Sequence, residues 1–524
     1  MKINFARLTE HMAVRFGDRE ALVNIERERR YSHRQLHALT NQIVNMMRER
    51  LALRRGDIYL CILENDNLSL LHTWTALKGE ASAAYTNLRD AIEEHRRQVD
   101  FMRPKVVFLE TPLLEDYYAM LREFGVTVVC MDPAPAEFQG AEGLHYFWDL
   151  MEGIPDEDPG IESDACADHL VYRFTGGTTG KSKCAQYTMD NWLACRDSYF
   201  AEQESFLDAD SRFLHMAPVS HGSGLGLLPT LFRGGCTITM NVPDLKRWCR
   251  NVEAERITVG ALVPTLLYWL LDMQEAADHD LSSLRTIYYG AAPISPSKLE
   301  RLQGRFGNIF LQAYGSTECL QAVALLLKRD HVASAGHLAS AGRVSSNVEL
   351  LVVDENGQRV PAGTTGEIWI RSRATISGYF KNPEGTAAEF SNGFWKSGDL
   401  GYVDAEGFLY IVDRKKDMII TGGFNVYAVE VEAALNAHPA VLISAVVGVP
   451  HDEWGEAVHA EVMLKPGAEA GAHELIEHVK GTLGRFKAPK SVTFVEALPV
   501  SVVGKILRRQ VRDKYWSNES RRVS

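Results

Sequence analysis

The feature of this sequence that most constrains its fold is a loop rich in glycine and threonine that follows a short apolar run. Residues 174 to 184 read Phe-Thr-Gly-Gly-Thr-Thr-Gly-Lys-Ser-Lys-Cys, and Leu-Val-Tyr at 170–172 precedes them. In such a loop the backbone N–H groups can converge on an anion, and the hydroxyl and ammonium groups add further donors. The sequence therefore predicts a strand that leads into a polyphosphate-binding loop.

Two other interpretations of this loop stay open at this point. A Walker A loop needs a glycine, four further residues and then Gly-Lys-Ser or Gly-Lys-Thr. Only three residues separate Gly176 from Gly180-Lys181-Ser182, so the spacing is one residue short and disfavours a GTPase or ATPase of that class. A surface turn that binds nothing has a similar composition, so the rest of the chain has to decide.

Length, charge and cysteine content limit the class of protein. A chain of 524 residues is too long for one ordinary core, so we expect two or more domains. The formal net charge of −12 disfavours nucleic acid as a partner. The eight cysteines contain no Cys-x-x-Cys pair and indicate reduced thiols. With no secretory pattern and no apolar stretch that could span a bilayer, we expect a cytoplasmic enzyme without an integral membrane segment.

Strand-like and helix-like segments alternate over most of the first 410 residues. Runs at 106–109, 126–130, 213–216 and 237–240 are typical of buried strands, and 186–204 and 295–305 have helical spacing. This alternation predicts an α/β architecture with largely parallel sheets. Near 343–380 the pattern instead favours a small antiparallel, barrel-like unit.

A charged segment, Asp-Arg-Lys-Lys-Asp at 413–417, precedes a block of α+β character. That block has helices from about 428 and 473 and strands around 441–448 and 458–464. We therefore predict an α/β fold with a large N-terminal domain over 1–412, made of two α/β subdomains and a small β-barrel. A hinge at 413–417 and a small mobile α+β C-terminal domain over 418–524 complete the prediction.

Three further segments carry residue types suited to nucleotide chemistry. Gln312 to Glu318 follow the predicted strand Ile-Phe-Leu at 309–311 and are expected on a loop at its end, where α/β proteins place their sites. There a tyrosine offers a flat face to a purine, and a glutamate offers a hard oxygen ligand to Mg²⁺. Asp399, in Ser-Gly-Asp-Leu-Gly at 397–401, can accept two ribose hydroxyls, and Lys505 follows a glycine in a short turn.

Taken in order, these segments resemble the adenylate-forming superfamily of acyl- and aryl-CoA synthetases, luciferases and peptide-synthetase adenylation domains. The family's phosphate loop, Tyr/Phe-Thr-Ser-Gly-Thr-Thr-Gly-x-Pro-Lys-Gly, aligns with 174–184 without a gap. Its other motifs match Tyr-Gly-Ala-Ala-Pro at 289–293, Tyr-Gly-Ser-Thr-Glu at 314–318, and the segments 366–368, 378–384, 397–401, 413–427 and 504–509. The resemblance covers essentially the whole chain.

The resemblance implies a role for each matching residue. The β- and γ-phosphates of ATP would be held by Thr175, Gly176, Gly177, Thr178, Thr179, Gly180 and Lys183. Adenine would be enclosed by Gly290, Ala291, Ala292 and Tyr314, and ribose would be bound by Asp399 and Arg414. Thr317 would touch the α-phosphate, Glu318 would ligate Mg²⁺, and Lys505 would bridge the carboxylate and the α-phosphate. Lys416 would mark the hinge, and Gly422 and Gly423 would lie beside the pantetheine of coenzyme A.

The implied chemistry explains these residue types. Attack of a carboxylate on ATP brings anions together, and each preorganised positive donor is worth about 3–4 kcal/mol there. AMP then leaves when a thiol attacks the acyl-adenylate, and in this family the C-terminal domain rotates between the two steps. Three positions depart from the family pattern: Gly176 replaces Ser or Thr, Ser182 replaces the loop proline, and Cys184 replaces a glycine.

The segment Pro-Val-Ser-His-Gly-Ser-Gly at 218–224 separates branches of the superfamily. Gly222 stands where peptide-synthetase domains place the aspartate that pairs with an amino acid, and His221 matches the movable gate of CoA ligases. The prediction is a ligase that joins a small carboxylic acid to CoA at the expense of ATP, with Mg²⁺, as a monomer or homodimer. An enzyme that loads a separate carrier protein and a non-catalytic nucleotide-binding regulator stay as alternatives.

Overall fold

The computed structural model describes residues 1–175, 183–201, 207–501 and 504–516. The chain divides into two compact units that are each built from several segments. The first unit comprises Met1–Ala261, Thr317–Gln321 and Arg373–Ala388, and the second comprises Leu262–Ser316, Ala322–Ser372 and Glu389–Ser524. This division does not test the predicted domain boundaries at 412 and 418, which stay a prediction.

The first unit alternates strands and helices along most of its length. Its strands β1 to β14 are Lys2–Ile3, Glu20–Asn24, Arg29–Ser32, Ile58–Ile62, Ser82–Tyr85, Val106–Leu109, Thr127–Cys130, Leu144–Tyr146, Ser163–Asp164, His169–Phe174, Cys184–Thr188, Arg212–His215, Cys236–Thr239 and Val259–Leu262. Its helices α1 to α9 are Phe5–Phe16, His33–Glu49, Leu71–Lys78, Ile92–Met102, Leu114–Glu123, Phe147–Met151, Met189–Ala201, Leu227–Phe232 and Leu245–Ala254.

Two sheets organise this unit. One has the order β11-β10-β5-β4-β6-β7-β8, in which only β11 is antiparallel to its neighbour. The other contains β14-β12-β13-β2-β3 and is parallel except for the β2–β3 hairpin. The central strands are continuous apolar runs because helices cover both faces of such sheets, and β6 is fully buried along its length.

The second unit holds the remaining elements, apart from α13 and the start of β17. Its strands β15 to β28 are Thr286–Gly290, Phe310–Ser316, Cys319–Leu326, Gly342–Val344, Glu349–Val353, Gly366–Arg371, Phe390–Ser391, Phe394–Val403, Phe408–Arg414, Ile419–Thr421, Phe424–Val426, Val441–His451, Gly455–Leu464 and Ser491–Phe494. Helices α10 to α16 of the chain are Pro264–Asp272, Glu275–Asp278, Pro296–Phe306, Pro383–Glu389, Ala428–Ala437, Ala472–Leu483 and Arg508–Asp513.

Within the second unit, β15 and β16 are parallel, whereas β19, β20, β22, β23 and β18 form an antiparallel series. The C-terminal part forms its own sheet in the order β25-β24-β27-β26, with β28 beside β27. Apolar side chains of α14 and α15 pack on that sheet, among them Val431, Leu435 and Leu475. This part is the predicted α+β block.

The predicted α/β class is confirmed, with two corrections. The antiparallel segment near 343–380 exists, but in the described part of the chain it is an open sheet and not a closed barrel. Residues 312–316, predicted to be a loop, continue strand β16, and only Thr317 and Glu318 form the turn. The strand is longer because Gln312 and Ala313 pair with Tyr289 and Gly290 of β15. Among the described helices, none is both long and apolar enough to cross a membrane.

Candidate functional site

The first unit carries the glycine- and threonine-rich loop between two strands. β10 and β11 pair antiparallel up to Phe174 and Cys184. Thr175 N–H donates to the Lys183 carbonyl at 2.7 Å, and Lys183 N–H donates to Thr175 Oγ1 at 3.2 Å, so these two residues close the base of the loop. A Walker A loop leads into a helix, whereas this loop leads into a strand, which removes that interpretation. Gly176, Gly177, Thr178, Thr179, Gly180 and Ser182 lie outside the described residues.

Tyr379 joins two of the predicted site residues of this unit. Its hydroxyl donates to Glu318 Oε1 at 2.8 Å, and Lys183 Nζ lies 5.0 Å from the centre of its ring. The backbone of this segment is fixed by the bridge between Tyr379 and Ala185 of β11. Tyr187, also on β11, donates its hydroxyl to the Thr317 carbonyl at 2.6 Å. The phosphate loop and the Thr-Glu turn are thus held together by two tyrosines.

His221 lies in a turn that follows β12 and is held by its neighbours. Its N–H donates to the Pro218 carbonyl at 3.0 Å, and its Nδ1 lies 3.0 Å from Ser220 Oγ. Arg173 Nη1 donates to the His221 carbonyl at 3.2 Å. Burial lowers the pKa of His221 to about 4, and the Arg173 charge acts in the same direction. The imidazole is therefore neutral near pH 7.

The second unit brings together three residues predicted to bind adenosine. Tyr314 donates its hydroxyl to Asp399 Oδ2 at 2.6 Å, and Arg414 Nε lies 3.4 Å from Asp399 Oδ1. Asp399 and Arg414 face each other in register on β22 and β23. Burial, followed by the Asp399 charge, raises the pKa of Tyr314 well above its ordinary value, so this phenol remains protonated. An aromatic face and a carboxylate here suit a nucleoside.

Lys505 belongs to the same cluster of charges. It is partly buried, and burial, followed by the charge of Arg414, lowers its pKa to about 7, with Asp399 opposing the shift. Ser501 and Lys505 form the ends of the turn, since Ser501 N–H donates to the Lys505 carbonyl at 2.7 Å. Gly504 has φ +81°, and a Cβ there would lie 3.1 Å from Val263 Cγ2. Glycine at 504 thus lets the turn bring Lys505 close to helix α10.

Arg508 is the first residue of helix α16, three residues after Lys505, and it anchors this terminal segment. Its guanidinium binds Glu432 through Nε at 2.8 Å and Nη2 at 2.5 Å. Nη1 donates to Asp413 Oδ1 at 3.3 Å. The Asp413 side chain is completely buried, and burial raises its pKa to about 6 although Arg508 opposes the shift. This network ties the lysine segment to the end of β23 and to helix α14.

The remaining predicted residues occupy two turns. Gly290 ends β15, and a Cβ at this position would meet the Ala313 carbonyl at 2.2 Å, so glycine is required for the close approach of β16. Ala291 has φ +66°, a left-handed conformation that costs a non-glycine residue about 1 kcal/mol. Gly422 and Gly423, both with positive φ, form the exposed two-residue turn between β24 and β25. Ala292 follows Ala291 and is partly buried.

Sequence patterns pointed to the two clusters but missed several of their members. Tyr379 lies in the Gly-Tyr-x-x-x-Pro-Glu segment already matched to the family, so a signal was present. Arg508 likewise lies in the matched segment 504–509, whereas Tyr187 and Arg173 have no comparable signal, because their contacts are with residues distant in sequence. The first unit holds the phosphate loop and the carboxylate turn, and the second holds the nucleoside cluster with the partly buried Lys505. Groups of these kinds suit transfer of a nucleotidyl group.

Comparisons with known proteins agree with this geometry. Residues 9–380 match the family described as AMP-binding enzyme, and residues 430–505 match the AMP-binding enzyme C-terminal domain. The medium/long-chain fatty acid–CoA ligase FadD8 of Mycobacterium tuberculosis is 36% identical over 441 residues, 78% of this chain and 76% of the relative. The feruloyl-CoA synthase of an Amycolatopsis species is 37% identical over 370 residues, 70% and 73% of the two chains.

Solved structures give the same result. The ATP-bound structure of MatB from Rhodopseudomonas palustris superposes with a TM-score of 0.86 at 27% identity, covering 98% of this chain and 99% of that one. Both family models, the curated relatives and the shared fold point to one conclusion. The chain belongs to the AMP-binding, adenylate-forming enzymes, in their acyl-CoA ligase branch.

Proposed function

We propose that this ATP-dependent ligase, as a monomer or homodimer, converts a small carboxylic acid to its acyl-adenylate with release of pyrophosphate and then passes the acyl group to CoA with release of AMP. The observation that carries the proposal is the cluster of Tyr314, Asp399, Arg414 and Lys505. A nucleoside site with a lysine whose pKa is near 7 suits a reaction that joins two anions, because the amine gains its proton as negative charge arrives.

In the first step Asp399 would accept the ribose hydroxyls, and Arg414 would hold that carboxylate in place. Lys505 would lie against the α-phosphate and the attacking carboxylate oxygen and offset their repulsion. Thr317 and Lys183 would contact phosphates of ATP. In the second step, after the C-terminal domain turns about the 413–417 hinge, the thiol of CoA would attack the acyl carbon and AMP would leave with the electron pair of the broken C–O bond.

Mg²⁺ fits the residues present if the nucleotide supplies most of its ligands. The Glu318 carboxylate is a hard oxygen donor, and Tyr379 orients it through Oε1. In the described part of the chain, no group of three or more potential ligand side chains is close enough to hold an ion. Mg²⁺ commonly binds through one or two carboxylates together with substrate phosphates. When bound, the ion would neutralise phosphate charge.

An exposed aromatic and basic surface supports CoA as the acceptor. Phe424, next to Gly423, is 63% exposed and lies 5.6 Å from the ring of Phe486, which is 47% exposed. Trp454 accepts the Gly422 N–H through its carbonyl, and Lys490 lies over its indole at 5.5 Å. Ring faces beside ammonium groups suit an adenine nucleotide with phosphates. The surface adjoins the glycine turn expected beside the pantetheine.

The direct test is a panel of aliphatic, branched and aromatic acids assayed with ATP and Mg²⁺, with and without CoA. We expect hydroxamate-trappable acyl-adenylate without CoA and stoichiometric AMP and acyl-CoA with it. An acyl carrier protein bearing phosphopantetheine is the competing acceptor. Faster transfer to that protein than to CoA would establish the carrier-loading alternative, and the absence of any acid-dependent pyrophosphate release would refute the ligase.

Replacing Glu318 with glutamine should lower the adenylation rate about 100-fold and raise the Mg²⁺ concentration needed for half-maximal rate, because the charge that would hold the ion is lost while the amide still accepts from Tyr379. Pyrophosphate release measured over a Mg²⁺ titration checks this. Tyr379→Phe is the matched control: it keeps the ring beside Lys183 and removes only the orienting hydroxyl. An unchanged Mg²⁺ requirement in Glu318→Gln contradicts the assignment.

A further inference from the structure

Arg173 is a buried cation that has no anionic partner among the described residues. The residue is 4% exposed and is the second-to-last residue of β10. In the part of the chain that the structure describes, its one hydrogen bond is the one from Nη1 to the His221 carbonyl, and no carboxylate lies within ion-pair distance. Nε is buried without an acceptor. Of the segments that the structure does not describe, the loop 176–182 next to Arg173 in the chain contains no Asp or Glu, whereas 202–206 and 517–524 contain three glutamates.

Such an arrangement is costly, because guanidinium cannot shed its proton at ordinary pH. The effective penalty for burying one ion is several kcal/mol. Arg173 lies over the face of Trp192 at 4.8 Å and over Tyr85 at 5.7 Å, and a desolvated cation–π contact returns only about 2 kcal/mol. Burial lowers the pKa of Arg173, which has the sign of an uncompensated charge.

A second buried donor lies beside Arg173. The Nε1 of Trp192, in the ring that lies under the guanidinium, has no hydrogen-bond partner within the described part of the chain. Buried N–H groups are almost always paired, with protein, water or ligand. Two unpaired donors on one guanidinium–indole pair are available to an acceptor group of a ligand.

Arg173 also lies between two elements of the candidate site. On one side is the turn from His221 to Gly224, where a Cβ at Gly224 would come within 3.2 Å of Arg173 Nη2, and where a Cβ at Gly222 would meet nothing within 4 Å. On the other side is Tyr187, whose pKa the Arg173 charge lowers against the effect of burial and whose hydroxyl holds Thr317. The guanidinium of Arg173 therefore lies among residues that we expect to bind the carboxylic acid substrate.

We propose that Arg173 binds a second carboxylate carried by the acid substrate, so that the enzyme prefers dicarboxylic acids; this rests on the proposed ligase function. A neutral carbonyl would leave the charge of Arg173 uncompensated. The reacting carboxylate loses its negative charge when it becomes the acyl-adenylate. A distal carboxylate keeps its charge through both steps and satisfies the guanidinium throughout, with the Trp192 N–H as a further donor.

The test compares diacids with monoacids of the same carbon count: succinate with butyrate, adipate with hexanoate, and suberate with octanoate. We expect kcat/KM for adenylation to favour the diacid of best-fitting length by about 10- to 100-fold in the wild-type enzyme. Arg173→Met should remove that ratio, and Arg173→Lys should retain part of it. Trp192→Phe keeps an aromatic ring at this position and deletes the N–H, so it should reduce the ratio less than Arg173→Met.

Arg196→Met is the matched control, since Arg196 lies on the same helix as Trp192, over Phe232 at 4.7 Å, and is already paired with Asp197. It should leave the diacid preference intact. Thermal denaturation gives an independent readout: a saturating diacid should raise the melting temperature of the wild type but not of Arg173→Met. The variant without ligand should melt no lower than the wild type, because an unpaired buried charge has been removed.

Equal use of mono- and diacids by the wild type overturns the proposal, as does a diacid preference that survives in Arg173→Met. An equal loss for both acid classes in that variant also overturns it, because Arg173 would then act on the reacting carboxylate or on the His221 turn. These outcomes differ from failure of the ligase function itself, in which no acid of either class would release pyrophosphate.

Discussion

Replacing Lys505 with alanine should slow acyl-adenylate formation by about 10²- to 10³-fold while thioester formation from supplied acyl-adenylate and CoA stays close to the wild-type rate. The reason is that the two half-reactions differ in charge. Adenylation joins a carboxylate to a phosphate, and removing one preorganised positive donor from such a step typically costs that factor. Thiolysis expels AMP from a mixed anhydride and does not need the lysine. Pyrophosphate release and acyl-CoA formation, measured separately, check this.

The pKa of Lys505 adds a pH dependence with a definite sign. Burial lowers this pKa to about 7, so the amine is protonated below pH 7 and neutral above it in the free enzyme. Because kcat/KM reports the free enzyme, kcat/KM for ATP in adenylation should fall as the pH rises through about 7. Lys505→Arg, whose charge persists across this range, should lack that fall even if its rate is lower.

Lys480→Ala is the control for Lys505, since that partly exposed lysine is paired with Glu477 on α15 and belongs to neither cluster. It should leave both half-reactions and the pH profile unchanged. A Lys505→Ala enzyme that forms acyl-adenylate at near the wild-type rate contradicts the assignment. A variant that loses both half-reactions equally indicates that Lys505 acts on the structure of its segment rather than on the charge of the first step.

Local patterns predicted the strands well where burial alone decides them. The run at 106–109 is β6 residue for residue, because a strand covered on both faces has to be apolar throughout. The polar stretch after residue 311 was predicted to be a loop, yet its first residues extend β16 by pairing with β15. Whether the antiparallel segment closes into a barrel depends on long-range register, which strand alternation does not encode.

In the candidate site, too, the sequence predicted some features and the structure was needed for others. Lys183, Glu318 and Asp399 were identified from motifs because their chemistry follows from residue type and spacing. The hydrogen bonds that hold them were not predicted, since Tyr379 reaches Glu318 across 61 residues and Tyr314, itself matched by a motif, reaches Asp399 across 85. Arg173 gave no signal because an arginine in an apolar strand is informative only when its missing counter-ion is seen. A contact between distant residues and a missing counter-ion can both be recognised only in the three-dimensional structure.

Replacing Arg508 with methionine should lower the free energy of unfolding by about 3–5 kcal/mol, the usual cost of removing one partner of a buried ion pair. Arg508 is the cation that Glu432 and Asp413 share, and their side chains are 12% and 0% exposed. Without it, two carboxylates are left in a dry environment close to each other. Denaturant unfolding monitored by tryptophan fluorescence measures the change, and Trp516, hydrogen-bonded to Gly448 near α16, is a suitable local probe.

The destabilisation should also depend on pH, with the following sign. The pKa of Asp413 is raised to about 6 in the native protein even with Arg508 present, and it should rise further without that cation. At pH 7.5 the variant must bury an unpaired carboxylate. Near pH 5 Asp413 is protonated, so the free-energy cost of burying its side chain is smaller. The loss of stability should therefore shrink as the pH falls from about 7.5 to about 5.

Arg509→Met, which removes an exposed arginine paired with Asp513, is the control and should cost less than about 1 kcal/mol of unfolding free energy at either pH. Equal destabilisation by the two variants, or a loss that grows on acidification, would show that the buried network does not anchor the lysine segment.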